Sequence, residues 1–369
     1  MDQQNADYRG GNGGGRTYCV TGATGYIGSW LVKSLLEKGY SVHATVRNPV
    51  SENCDRLLKL WRGGDRLRLF KADLHKEGSF DDAVQGCHGV FHVAASVDVI
   101  LPPTEDDDSV LSNVIDPLIN GAINVLKSCS RSKSVKRVVF TSSISTVTAL
   151  NNDGEWLPVV DESCRVPIDA ILNTKPSGWV YILSKRLTEE ASIQFTRENN
   201  IHLVSVITST VAGPFLTPAV PLSIRFLLSP ITGDSDLLPV LTTVSSLLGS
   251  IALVHTEDVC NAHLYLMEHD QAEGSYICCS DSCTSSQLGL FDGASDHRLG
   301  LGPWTRSGVC AFDSGPRTRS DILRRTRSDL KNHRLKNLPL MSDSVRSPRC
   351  LVGAFDVGLG PDSLRLDPV

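Results

Sequence analysis

Between residues 17 and about 210, short β-branched apolar runs alternate with longer stretches of helical periodicity. The runs fall at 18–20, 41–46, 67–72, 90–93, 138–141 and 203–207. Each is apolar without alternation and is bounded by turn or helix signals, as strands buried on both faces are. Between them, a helix-like stretch over 26–38 stops at Gly39, and another carries Tyr181 and Lys185 and ends near Asn199. Strand and helix signals taken in turn predict an α/β fold with a doubly wound parallel sheet.

The pattern loosens over 211–277, where Pro214, Pro218, Pro221 and Pro230 interrupt a mixture of apolar and hydroxyl residues. An apolar run at 251–254 and a helix over 257–268 stand out. The charge-free stretch 237–254 contains Pro239, Gly249 and five Ser or Thr residues, which predicts a loop plus a buried strand and makes a poor membrane span. Residues 211–284 are therefore expected to form a smaller substrate lobe that partly returns to the main sheet. Residues 1–16 are polar and Gly-rich, without the apolar core of a signal peptide, and read as a flexible leader before a nucleotide-binding domain over 17–210.

From residue 285 the texture changes again. Residues 286–369 contain eleven Arg, two Lys, nine Asp and no Glu, with no amphipathic element. Over all 369 residues, 36 basic and 41 acidic side chains leave a net charge of −5, so no basic field marks a nucleic-acid binder. The 41% apolar content supports a packed core. The 11 cysteines show neither CxxC pairs nor zinc spacing, so no metal site is expected and buried thiols in a reducing cytoplasm are.

The sharpest motif is Thr21-Gly22-Ala23-Thr24-Gly25-Tyr26-Ile27-Gly28, directly after the first strand and opening the first helix. Gly22 allows a tight turn, Gly25 admits a pyrophosphate to the backbone, and Gly28 lets helix and strand pack closely. The helix N-terminus then offers its N–H groups to the anion. Gly28 is followed by Ser29, so this is no Walker loop. Nineteen residues on stands Arg47, where an NAD site would carry a carboxylate; a guanidinium there suits a 2′-phosphate and predicts NADPH. Asp73, ending the third strand, is a candidate partner for the adenine amino group.

At the chemical end, Tyr181 and Lys185 lie four apart, on one helix face. An ammonium beside a phenol favours the phenolate and eases proton exchange. Ser143, just past the fifth strand, sits at the carboxyl edge where ligands bind such sheets, with a hydroxyl for the substrate oxygen. No HExxH, GxSxG or carboxylate-rich loop competes with this chemistry.

Read together, these motifs resemble the extended short-chain dehydrogenase/reductases, and within them the plant dihydroflavonol and anthocyanidin reductase group. The resemblance runs from about Thr17 to Cys283 and includes Lys71-Ala-Asp-Leu, Gly89-Val-Phe-His-Val-Ala-Ala, Val138-Val-Phe-Thr-Ser-Ser, Ala212-Gly-Pro-Phe and Glu257-Asp-Val-Cys-Asn-Ala-His. It implies a Rossmann-type sheet and a Ser143–Tyr181–Lys185 triad. It also implies NADPH contacts at Gly22, Thr24, Gly25, Tyr26, Ile27, Gly28, Arg47, Asp73, Leu74, Val93, Ala94, Ala95, Tyr181 and Lys185, with Thr208, Ser209, Thr210 and Val211 bordering the nicotinamide. Ser143, Thr148 and Tyr181 would face a small phenolic or flavonoid-like substrate, which receives hydride at a carbonyl carbon and a proton from Tyr181. The chain departs from the group at Thr148, where an Asn is expected, at Thr208, where a Pro is expected, and near Cys54, where a cofactor-side Lys is expected. The match dissolves near Leu288, which predicts a tail from an altered reading frame or splice join. The competing expectation is a non-catalytic or inactive nucleotide-binding relative, because the tail alters the substrate lobe. A nucleotide-sugar epimerase is disfavoured by Arg47.

Overall fold

The computed structural model of the chain describes residues 15–60, 65–95, 107–151, 154–157 and 160–284. The expectations placed on the first fourteen residues and on 285–369 lie outside the described residues.

Seven parallel strands form the main sheet: β1 Thr17–Thr21, β2 Ser41–Val46, β3 Leu67–Lys71, β4 Gly89–His92, β5 Arg137–Ser143, β6 His202–Thr208 and β9 Gly274–Cys278, ordered β3-β2-β1-β4-β5-β6-β9. The chain reverses its direction of travel across the sheet between β1 and β4, which opens the crevice where such sheets bind ligands. A small second sheet joins β7 Thr210–Ala212, β8 Ile251–His255 and β10 Asp281–Cys283. The strands are apolar on both sides because both sides are covered. In β1, Tyr18 and Val20 point into one buried layer, with Leu31 and Leu35 of α1 (Tyr26–Glu37) and Val259 of α10 (Thr256–Glu268). Cys19 points into the other layer, with Phe80, Val84 of α3 (Asp81–Val84), and Val125 and Leu126 of α5 (Asp116–Arg131). A Leu at such a position is worth about 2–5 kcal/mol against Ala. α7 (Trp179–Glu198) packs beside α5 on this second side, and α2 (Glu52–Leu60) follows β2.

The doubly wound sheet is thus as the periodicity predicts. The strand bounds at 41–46 coincide, and elsewhere the ends move by a residue or two. Two regions differ. The acidic run at 105–108 reads along the chain as a solvated loop, whereas Asp107 and Asp108 open a short helix, α4 (Asp107–Val110), which continues through a π turn, Leu111–Ile115, into α5. The stretch expected to be loop plus strand is instead a helix, α9 (Leu237–Leu248), followed by β8. Pro239 falls in its first turn, where a backbone N–H has no intrahelical partner to lose. Thr242 and Ser246 turn their hydroxyls back on the carbonyls of Leu238 and Thr242, at 3.1 and 2.9 Å, and Gly249 closes the helix at φ 70°. The preceding α8 (Leu222–Thr232) holds Pro230 in its last turn, and the Phe226 carbonyl that this ring cannot serve accepts the Ser229 hydroxyl at 2.8 Å. A short α6 (Ile168–Thr174) completes the described helices.

Two buried features brace the frame. The Arg137 guanidinium, at the start of β5, donates to the carbonyls of Leu266 (2.9 Å), Asp270 (3.0 Å) and His269, and so caps the C-terminus of α10. Cys19, Cys87 and Cys129 are buried together between the sheet and α5, and no disulfide forms among the described residues. Burial pushes the Cys87 and Cys129 thiols up to about 12 and raises Cys19 as well.

Candidate active site

The β1–α1 turn forms the floor of the crevice. Gly22 is left-handed at φ +67°, and a Cβ there would stand 2.9 Å from the Cα of Ala94. Gly28 is bound more tightly still: its Cβ would come within 2.2 Å of the Gly22 carbonyl oxygen. α1 begins after Gly25 with no side-chain cap, so its first-turn N–H groups are left to the backbone, solvent or an anion. This bare cradle fits a dinucleotide pyrophosphate. Thr24 lines a small cavity of about 10 Å³ with Asn53 and Leu57. The Tyr26 phenol donates to Gly213 O at 3.0 Å, and burial pushes it up to about 12, so it stays neutral and ties this turn to the chain after β7. Ile27 packs against the core layer of α1.

Thr21 joins this floor to β4. Its hydroxyl accepts the amides of Val93 (3.1 Å) and Ala94 (3.0 Å) and lies 2.9 Å from Nδ1 of His92. Arg47 stands exposed just past β2, and Ala95 is exposed at the end of its described segment. One Asp73 carboxylate oxygen accepts the His75 amide at 3.0 Å, and the Leu74 carbonyl accepts Asn124 at 2.8 Å. The crevice thus gathers Gly22, Gly25, Gly28, Val93 and Ala94 through backbone contacts, whereas Asp73 is held by the turn to His75 and Ser79 and Arg47 stands exposed at the end of β2.

The second cluster lies along the carboxyl ends of β5 and β6. Register pairs Ser143 with Thr208 and Thr208 with Cys278. The Ser143 hydroxyl accepts from the Ser145 amide at 3.3 Å and the Ser145 hydroxyl at 3.0 Å, and among the described residues no acceptor takes its own proton. The Thr208 hydroxyl donates to Ser142 O at 3.1 Å, Ser209 donates through both its amide (3.0 Å) and its hydroxyl (2.9 Å) to Cys278 O, and Thr210 and Val211 enter β7. Thr148 is buried, its hydroxyl accepting the Leu150 amide at 3.1 Å. On α7, Lys185 Nζ lies 6.0 Å from the Tyr181 ring centroid, as the four-residue spacing predicts.

Sequence reasoning missed the partners that sit far apart in the chain. Thr21 and His92 are separated by 71 residues. The buried Glu189 pairs with the half-buried Arg165 at 2.9 Å beside the β5 end, and neither belongs to a recognisable motif. Cys54, near which a cofactor-side cation was expected, is buried, with its thiol donating to Asn48 O at 3.3 Å.

With a glycine turn at the switch point of a parallel sheet, Ser143 at the end of β5 and Tyr181 and Lys185 on α7, the chain is an oxidoreductase of the extended short-chain dehydrogenase/reductase class, as its family and relatives show. The chain belongs to the NAD dependent epimerase/dehydratase family, whose profile matches residues 18–279. Among curated relatives, dihydroflavonol 4-reductase of Gerbera hybrida is 44% identical over 273 residues, covering 74% of this chain and 70% of its own. The (2S)-flavan-3-ol-forming anthocyanidin reductase of Vitis vinifera is 43% identical over 279 residues, covering 75% and 80%. Among solved structures, vestitone reductase from alfalfa (Medicago sativa L.) is similar at 34% identity and a TM-score of 0.59, over 74% of this chain and 79% of that one. No described helix is long and apolar enough to cross a membrane.

Proposed function

We propose that the chain is an NADPH-dependent reductase of a carbonyl on a small phenolic or flavonoid-like substrate, with Tyr181 as proton donor. The observation that carries this reading is the place of Ser143 at the carboxyl end of β5, on a turn against which α7, bearing Tyr181 and Lys185 one helical turn apart, is packed. The relatives' names support the substrate class.

NADPH would supply the hydride. The amides following Gly22 and the start of α1 would hold its pyrophosphate, and Arg47 its 2′-phosphate. The Ser143 hydroxyl donates a hydrogen bond to the substrate carbonyl oxygen and holds it in place, keeping its own proton. As negative charge gathers on that oxygen, Tyr181 Oη passes it a proton. The Lys185 ammonium, 6.0 Å from the Tyr181 ring centroid, stabilises the phenolate left behind.

The test is NADPH oxidation by the full chain against a panel of dihydroflavonols, flavanones and simple aryl ketones. Turnover on a phenolic ketone, lost at least a hundredfold in Tyr181→Phe with NADPH affinity retained, supports the reading. NADPH binding without turnover on any panel member supports the non-catalytic relative instead, and undiminished turnover in Tyr181→Phe removes that residue as proton donor.

A further inference from the structure

Glu189 is 1% exposed, yet it carries a carboxylate. Its Oε2 accepts from Arg165 Nη1 at 2.9 Å and from the Ser142 hydroxyl at 2.9 Å. Its Oε1 accepts from Arg165 Nη2 at 3.2 Å and, more distantly, from the Ser275 hydroxyl at 3.5 Å. The guanidinium reaches further. Nη1 donates to Thr146 Oγ1 at 2.9 Å and Nη2 to Ser275 Oγ at 3.0 Å. Thr146 in turn donates its hydroxyl to the carbonyl of Ser143 at 2.8 Å. The Arg165 backbone bridges Val147 antiparallel, and the Val166 amide donates to Thr146 O at 3.0 Å.

An ion pair with one buried and one half-buried partner is a poor device for stability, since desolvation of the buried carboxylate offsets much of its attraction. Its bidentate geometry fixes direction instead. That direction matters here because of where the pair's ends lie. Glu189 is one helical turn beyond Lys185 and two beyond Tyr181, on the same face of α7. Ser142 is the chain neighbour of Ser143, and Thr146 closes the turn that holds it. One guanidinium thus touches the helix that bears two of the candidate catalytic groups and the turn that bears the third.

We propose that Arg165 and Glu189 are positioning residues that hold α7 in register with the Ser143 turn, so that Ser143, Tyr181 and Lys185 converge on one substrate oxygen. This rests on the reductase reading above. Neither side chain touches the reacting atoms. Both act through Ser142, Thr146 and the seating of α7.

The experiment compares the full chain with Glu189→Gln, which keeps shape and acceptors but loses charge, Arg165→Met and Arg165→Lys. Amide hydrogen exchange is read at residues 143–148, at 181–189 and, as a control, in β1 and β2. NADPH affinity is read by fluorescence, and kcat and KM on the panel ketone that turns over. Expected are exchange at 143–148 at least tenfold faster in Arg165→Met and Glu189→Gln with the control strands unchanged, NADPH affinity within twofold, and kcat down at least tenfold with substrate KM little changed. Arg165→Lys should recover part of both effects. Wild-type exchange and kcat in a folded Arg165→Met or Glu189→Gln overturns the proposal, and so does exchange accelerated uniformly through the sheet, which marks a merely structural pair. Should Arg165→Met fail to fold, Glu189→Gln and Arg165→Lys decide by the same criteria. Should the unaltered chain turn over no ketone, the reductase reading fails by that result, while the exchange comparison still decides whether the pair fixes the turn.

Discussion

The Thr21 hydroxyl donates to Nδ1 of His92 across 2.9 Å, because both acceptor positions on its oxygen are taken by the amides of Val93 and Ala94. This fixes His92 as the neutral ring protonated at Nε2. Burial, helped by the charge of Lys185, pushes His92 down to about 3, and burial alone pushes His263 down to about 4. Both rings are neutral in the folded and unfolded chain above pH 6.5. Below that, the unfolded rings take up protons that the folded ones refuse until about pH 4 and 3. Stability therefore falls with falling pH, by about 1.4 kcal/mol per pH unit for each histidine between about 6 and 4. Urea unfolding at pH 7, 6 and 5 should show this slope, and a folded His263→Asn chain should lose about half of it. A slope unchanged in that variant would assign the acid sensitivity elsewhere.

Gly28→Ala should abolish NADPH binding. The new methyl would fall 2.2 Å from the Gly22 carbonyl oxygen, a backbone atom that cannot yield without opening the turn. A loss of at least tenfold in affinity, with circular dichroism still helical, is the expected result. Unchanged affinity would show that the turn is not the pyrophosphate cradle.

Arg47→Ala should weaken NADPH binding by about ten- to a hundredfold while leaving NADH nearly untouched, since a charge-assisted bond to a phosphate is worth about 1.5–3 kcal/mol. Titration of both cofactors by fluorescence separates the two arms. Equal losses for NADPH and NADH would place the 2′-phosphate away from Arg47.

Arg137→Met should cost about 2–4 kcal/mol, because it orphans the capped carbonyls of Leu266, His269 and Asp270 together. Thermal unfolding with and without NADPH checks this. The drop should persist with cofactor present, as Arg137 begins β5 at the end opposite Ser143.

What could be read along the chain was what neighbours in sequence decide. The run at 41–46 is a strand because its β-branched residues are covered on both sides, and Tyr181 and Lys185 meet because four residues make about one helical turn. α8 and α9 were illegible for a physical reason. Their Ser, Thr and Pro residues lower helix propensity in isolation, while in place the hydroxyls bond carbonyls of the preceding turn and Pro239 spends no donor. Nor could the pairing of Arg165 with Glu189, or Thr21 with His92, be seen in either partner's local sequence. Each pair is made by strands and helices that become neighbours only when the sheet closes. The candidate cofactor half of the site announces itself in one glycine-rich octet, whereas the group around Ser142, Arg165 and Glu189 is assembled from residues 24 to 110 apart.

The buried trio of Cys19, Cys87 and Cys129 turns the molecule into its own clock. With the Cys87 and Cys129 thiols pushed up to about 12 and all three sealed under α5, an alkylating reagent at neutral pH can reach them only when this layer opens. The rate of their labelling, followed by the mass of the peptides that carry Cys19, Cys87 and Cys129, reads that opening in the unaltered chain and at concentrations far too low for calorimetry. Cofactor added to the same tube should slow the clock in proportion to its occupancy, giving a binding curve without any knowledge of the substrate.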